Sequence, residues 1–230
     1  MIRLGVLASG GGTNLQAILD ACGAGGKPRR IDAEVAVVVS NVPTAGALER
    51  ARRAGVTTEV RPSKGVTDRE AYDLALVEAL RAHRVDLVCL AGYMRLVTPA
   101  FLRAFGPTAA TRGCPRVVNV HPGLLPSFPG LHAQRQCFEY GARFAGCTVH
   151  FVDEGTDTGP VIAQAVVPVL PEDDEAALAA RILTQEHRLY PQAIQWLAEG
   201  RLSVEGRRVR LAGGAPPPTA PLANPPLERF

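Results

Sequence analysis

Two stretches of the chain carry side chains suited to moving an acyl-like group. Asn119 and His121 alternate at the start of residues 119–130, Asn-Val-His-Pro-Gly-Leu-Leu-Pro-Ser-Phe-Pro-Gly, and period-two geometry puts both on one side of a strand that Pro122 then ends. An amide donor can hold the oxygen of a tetrahedral intermediate while an imidazole moves a proton. Asp157, in the turn 153–160, Asp-Glu-Gly-Thr-Asp-Thr-Gly-Pro, would raise the pKa of His121 if folding brings the two together. Taken alone, His121 reads as a strand-end residue with structural partners and Asp157 as a turn former. Spacing does not say whether they meet.

A third stretch, residues 9–14, Ser-Gly-Gly-Gly-Thr-Asn, lies between an apolar run and a helical pattern. Glycines let backbone amides approach an anion, and a helix amino terminus adds free N–H groups and a favourable dipole, so a phosphate fits there. No Gly-Lys-Ser/Thr follows, as a P-loop would need, and Leu15 stands where a dinucleotide fingerprint needs its third glycine. The second strand ends in Ser40-Asn41, without the acid that holds a nicotinamide ribose.

The elements that position these residues follow from periodicity. Ile2–Ala8, Ala33–Ser40, 86–91 and 117–120 are apolar runs of buried strands, and 14–24, 45–54 and 68–83 repeat at helical spacing, with Thr67 and Glu70 as a capping box. Right-handed β-α-β-α crossovers give an α/β fold with an open, mostly parallel Rossmann-like sheet, helices on both faces and ligands beyond the carboxyl ends of the strands. The stretches 148–152 and 160–169 are close enough in sequence to pair antiparallel in the C-terminal half. A long helix over 172–198 is expected to kink or break at Pro191. One domain is expected over 1–205; 206–230 turns basic and then proline-rich, and 213–230 reads as a disordered or surface-draped tail.

Composition narrows the partners. In 230 residues, 47% hydrophobic and 20% charged, there is room for one large core. A net charge of +3 from 25 basic and 22 acidic residues, without a dense basic run, argues against nucleic acid. The five cysteines form no C-x-x-C pair, so neither zinc nor a disulfide framework is expected, and metal is not expected at the site. The apolar start breaks into glycine too early for a signal peptide, and no apolar run is long enough to cross a membrane, so the chain reads as cytoplasmic, without membrane contact.

Residues 9–14, 119–130 and 146–160 together resemble the phosphoribosylglycinamide formyltransferase family, and the similarity runs from Met1 to about Leu202. The resemblance implies a formyltransferase fold whose N-terminal half binds phosphate and whose C-terminal half binds folate and catalyses. The implied reaction carries a formyl group from 10-formyltetrahydrofolate, a co-substrate, to the amine of a phosphoribosylglycinamide in purine synthesis. By the same resemblance Gly12, Thr13 and Asn14 hold the substrate phosphate, Glu186 contacts the glycinamide, and Arg69, Met94, Arg95, Leu96, Val97 and Asn119 contact folate. Asn119, His121 and Asp157 become the catalytic set, supported by Thr148 and His150, with His132 set aside because it follows a flexible turn. Small molecules are the expected partners, and a monomer or homodimer the expected state. Gly11, Thr13 and Thr156 depart from the family's usual residues. The alternatives are a formyltetrahydrofolate hydrolase, a sugar-nucleotide formyltransferase, or an NADPH-dependent Rossmann-type reductase.

Overall fold

The computed structural model describes residues 1–215 and 222–224. Apolar side chains alternate to opposite faces of the first strand, β1 (Ile2–Ala8): Leu4, Val6 and Ala8 enter one core and Leu7 the other. Both faces are therefore covered, which is why the strand reads as a continuous hydrophobic run. The chain continues through α1 (Thr13–Ala21), β2 (Ala33–Ser40), α2 (Gly46–Arg53), β3 (Thr58–Val60), α3 (Arg69–Ala82), β4 (Leu87–Leu90), α4 (Pro99–Ala104) and β5 (Val117–His121). It then passes through α5 (Ala133–Tyr140), β6 (Phe144–Phe151), β7 (Val161–Pro168), α6 (Glu175–Ala198), β8 (Leu202–Glu205) and β9 (Arg208–Leu211).

The seven-stranded sheet has the order β3-β2-β1-β4-β5-β6-β7. Strands β1 to β5 pair in parallel, and β6 and β7 pair antiparallel. This is the expected α/β architecture. Strand order reverses between β1 and β4, so the loops leaving those strands part from each other and open a crevice, where such sheets bind ligands. Register sets the level of the rim: Leu7 lies beside Leu90, and Leu90 beside Asn119. The glycine loop, the segment after β4 and the Asn-Val-His strand end thus open onto one edge.

Helix starts follow local capping. Asp68 accepts from the Ala71 N–H at 2.9 Å, so the cap of α3 is Asp68 and not the expected Thr67. Helix α6 passes through Pro191 without interruption. The Tyr190 hydroxyl, buried one residue earlier, lies 3.0 and 3.1 Å from the carbonyls of Leu90 and Val118 and ties α6 to the ends of β4 and β5.

The hairpin of β8 and β9 spans the point where the tail was expected to begin, with Val209 and Leu211 packed on the core. Alternation of Arg208, Val209, Arg210 and Leu211 gives that strand its one apolar face. Of the expected tail 213–230, residues 216–221 and 225–230 lie outside the described residues; within it, Asn224 donates to the carbonyls of Arg143 and Val169. All five cysteines are buried and unpaired. No helix among the described residues is long and apolar enough to cross a membrane.

Candidate active site

Helix α1 starts without a side-chain cap. Gly12, its N-cap residue, is left-handed at φ 76°, and a Cβ there would lie 2.7 Å from the Ala47 backbone. Only glycine lets the loop turn this tightly against α2, and the uncapped first-turn amides stay free for an anion. Arg50 donates to the Gly11 carbonyl at 2.8 Å and Ala47 N–H to that of Gly10, so α2 braces the loop from outside. Asn14 donates to Glu186 at 2.6 Å, joining the loop to α6. Glu186 is not the solvated helix acid that its sequence context suggests: it is 5% exposed, and burial, only partly offset by Asn14, raises its pKa.

The strand pair β5 and β6 builds the opposite wall. Antiparallel register sets His150 beside Asn119 and Thr148 beside His121, which makes the two expected support residues cross-strand neighbours of the two expected catalytic ones. The Asn119 amide lies 3.2 Å from His150 Nε2, and His150 Nδ1 lies 2.8 Å from the Phe151 carbonyl. Because a carbonyl can only accept, Nδ1 carries a proton. Thr148 Oγ1 donates to the Gly123 carbonyl at 2.7 Å and accepts from Leu125 N–H at 3.1 Å, which pins the start of the loop after β5. Gly123 is needed there: a Cβ would lie 2.9 Å from His121 Nε2.

Asp157, whose position the sequence left open, reaches both imidazoles. Its Oδ2 lies 3.2 Å from His121 Nδ1 and accepts from Gly130 N–H at 2.8 Å; its Oδ1 lies 3.6 Å from His150 Nε2, beyond hydrogen-bond reach. The residue adopts φ 54°, a left-handed conformation that a non-glycine holds only when its surroundings require it. Burial pushes its carboxyl up, but His150, the Gly130 N–H and the imidazole of His121 outweigh it, so the pKa lies below the usual carboxylate value.

His121 departs from expectation in one respect. Asp157 does favour its charged form, but burial at 3% exposure weighs more, so its pKa lies below 6.5 and not above it. Its Nε2 lies 2.8 Å from the Phe128 carbonyl, which requires a proton on that nitrogen and leaves Nδ1 turned toward the carboxylate. His132, exposed at the N-terminus of α5, stays outside this cluster.

Between the walls lies a cleft. Tyr93, Leu96 and Val97 line one side, the turn after Val152 the other, and Asn119, His150 and Asp157 the floor. Arg69 donates to the Leu96 carbonyl at 2.8 Å, and Met94 N–H donates to Ser9 Oγ at 2.9 Å. Of the expected folate residues, Arg95, Leu96 and Val97 thus line this cleft with Asn119, while Met94 is tied to Ser9 and Arg69 supports the segment from α3.

Comparison with known proteins settles the kinship. The formyl transferase family matches residues 2–194. The phosphoribosylglycinamide formyltransferase of Escherichia coli (strain K12) is 44% identical over 213 residues, 93% of this chain and 95% of that one. The chain belongs to the phosphoribosylglycinamide formyltransferases. The crystal structure of glycinamide ribonucleotide transformylase 1 from Symbiobacterium toebii matches with a TM-score of 0.84 and 57% identity over 92% of this chain and 94% of that one. The trifunctional purine biosynthetic protein adenosine-3 of Drosophila melanogaster is 48% identical over 86% of this chain, which spans only 14% of that relative's length.

Within this chain several contributors escape a reading by motif. Ser9 donates to Asn41 at 2.6 Å while accepting from Met94 N–H, and so links the glycine loop to the segment after β4. Phe128 matters through its carbonyl, and Tyr190 through a hydroxyl buried under the rim. A serine at the end of the first strand was the only visible signal for the first; backbone acceptors leave none.

Proposed function

We propose that the chain transfers the formyl group of 10-formyltetrahydrofolate to the amine of N1-(5-phospho-D-ribosyl)glycinamide, giving the N2-formyl product and tetrahydrofolate in the cytoplasmic synthesis of purines. The observation that carries this reading is the meeting of an amide, an imidazole and a carboxylate from distant parts of the chain, with His121 Nδ1 3.2 Å from Asp157. The donor fits the cleft beside them: Tyr93, Leu96 and Val97 line it, with Leu96 55% exposed, an apolar border for a flat ring system. Gly12, Thr13 and Asn14 hold the phosphate at the uncapped start of α1, and Glu186 holds the glycinamide end next to Asn14.

In this mechanism the neutral substrate amine attacks the formyl carbon. Asn119 donates to the oxygen as it becomes an oxyanion, using the amide hydrogen not directed at His150. His121 turns its Nε2–H from the Phe128 carbonyl to the same oxygen, and Asp157 stabilises positive charge on the ring as it develops. The proton shed by the amine reaches the departing folate nitrogen through His121 and Asp157. No covalent enzyme intermediate forms.

Incubating the protein with both substrates and following tetrahydrofolate release tests the reading. Release that depends on the phosphoribosylglycinamide supports it. Release of formate with water as the only acceptor would instead identify a hydrolase, and oxidation of NADPH a reductase.

A further inference from the structure

Helix α3 turns one face toward the segment 93–98, and a buried acid lies at its centre. Arg69, Tyr72 and Asp73 fall at helical spacing that places them together. Asp73 is 1% exposed, in a position where the core neighbours of α3, Leu76, Val77 and Leu80, are all apolar. Burying a carboxylate is costly unless it meets donors or cations, so its partners indicate what it supports.

Both partners come from one segment. Oδ2 of Asp73 accepts from Thr98 N–H at 2.6 Å, where α4 begins, and Oδ1 faces the Arg95 guanidinium at 3.9 Å. That guanidinium lies over the Tyr72 ring, 4.4 Å from its centroid. Arg95 is thereby held against α3, and it lines the cleft together with Tyr93, Leu96 and Val97 of the same segment. Anchoring Arg95 on one side and the Thr98 N–H on the other fixes the piece of chain between them, which is the piece that borders the cleft.

We propose that Asp73 is a positioning residue for the formyl donor: it sets the register of residues 93–98 and through it the site that the donor occupies. The proposal rests on the reading of that segment as the donor site. Without the carboxylate, the Arg95 guanidinium loses the anion that faces it and Thr98 N–H its acceptor. The segment then no longer presents Leu96 and Val97 to the cleft at a fixed place. The glycine loop meets the start of this segment through Ser9 but takes its own turn from Gly12 and its brace from α2, neither of which touches Asp73.

The test compares wild type with Asp73→Ala and Asp73→Asn in the full chain, by steady-state kinetics with each substrate varied, calorimetric binding of tetrahydrofolate, and thermal melting. Asp73→Ala should raise the donor KM and weaken tetrahydrofolate binding by about tenfold or more, with the KM of the phosphoribosylglycinamide unchanged. Asp73→Asn keeps an acceptor for Thr98 N–H but lacks the charge facing Arg95, and should fall between the two, which also serves if the alanine variant does not fold. A general loss of structure would instead shift both KM values or only the amount of active enzyme. An unchanged donor KM in both variants, or equal rises in both KM values, overturns the proposal. Wild type that binds no reduced folate would overturn the donor reading and this assignment with it, whereas wild type that binds and variants that bind equally well would overturn only the role of Asp73.

Discussion

The loop after β1 and the wall formed by β5 and β6 open onto the same rim, yet they are built by opposite means. The loop works through backbone: an uncapped helix start, a left-handed Gly12, and braces from α2 that meet carbonyls. The wall works through side chains, with Asn119, His121, Thr148 and His150 locked by cross-strand register and Asp157 brought in from a turn. On the proposed function the backbone site holds a group that does not change during reaction, and the side-chain site meets charge that appears only in the transition state. Damage to the first should therefore be read in substrate KM and damage to the second in kcat.

The largest expected effect belongs to the wall. Asp157→Asn keeps an oxygen for Gly130 N–H but loses the charge facing His121. Turnover should fall about 10³-fold, within the range for a lost proton-transfer partner, with both KM values changed by no more than about threefold. Steady-state kinetics decide it, and near-normal kcat would remove the distinction between the two regions.

A smaller effect of the other kind should follow Gly12→Ala. The added carbon would sit 2.7 Å from Ala47 Cα in a backbone conformation that alanine rarely adopts. The loop must shift, and the KM for the phosphorylated substrate should rise about tenfold while the donor KM and kcat hold. A loss confined to kcat would show that the loop positions the reacting carbon as well as the phosphate.

The same division explains what could be read from sequence. Strands β1 and β2 were legible to the residue because apolar runs, interrupted by charge only at Arg3 and Glu34, stop just before Ser9-Gly10 and Asn41. The loop's build was legible too, since glycines before a helix announce an uncapped backbone turn. Strand β3 has no buried residue, and α5 buries only Ala133 and Cys137, so neither carries a usable period. The wall's residues were identifiable by type and resemblance, but their convergence depends on register that spacing cannot supply. Glu186 looks like a solvated helix acid in the sequence, and nothing there singles out Asp73; burial, a property of the fold, distinguishes both. The same burial reversed the net direction expected for His121.

Ser9 belongs to both regions and sharpens the boundary. Its hydroxyl holds Asn41 and receives Met94 N–H. Ser9→Ala should raise the donor KM about threefold, the scale of one lost hydrogen bond, through Met94. An isothermal titration in which a bound phosphoribosylglycinamide strengthens tetrahydrofolate binding in wild type and not in Ser9→Ala would make this hydroxyl the link between the sites. Equal enhancement in both proteins would leave them coupled by other means.

The smallest effects concern stability, and there the two regions should differ in sign. His121 has a folded pKa below its unfolded value near 6.5 because burial disfavours its charge. The unfolded chain thus binds more protons as pH falls below that value, and the histidine's contribution to stability is lost toward acid. Glu186 has a folded pKa above its unfolded value near 4.5. The folded chain there binds the extra proton, and stability is lost as pH rises from about 4.5 through the raised value. Melting wild type, His121→Gln and Glu186→Gln between about pH 4.5 and 8 separates the two. Relative to His121→Gln, wild type should weaken toward acid; relative to Glu186→Gln, it should weaken toward alkali, each by about 2–4 °C per kcal/mol of linked stability. Parallel slopes would mean that burial does not govern both ends of the site, and the contrast between a backbone-built and a side-chain-built region would then rest on kinetics alone.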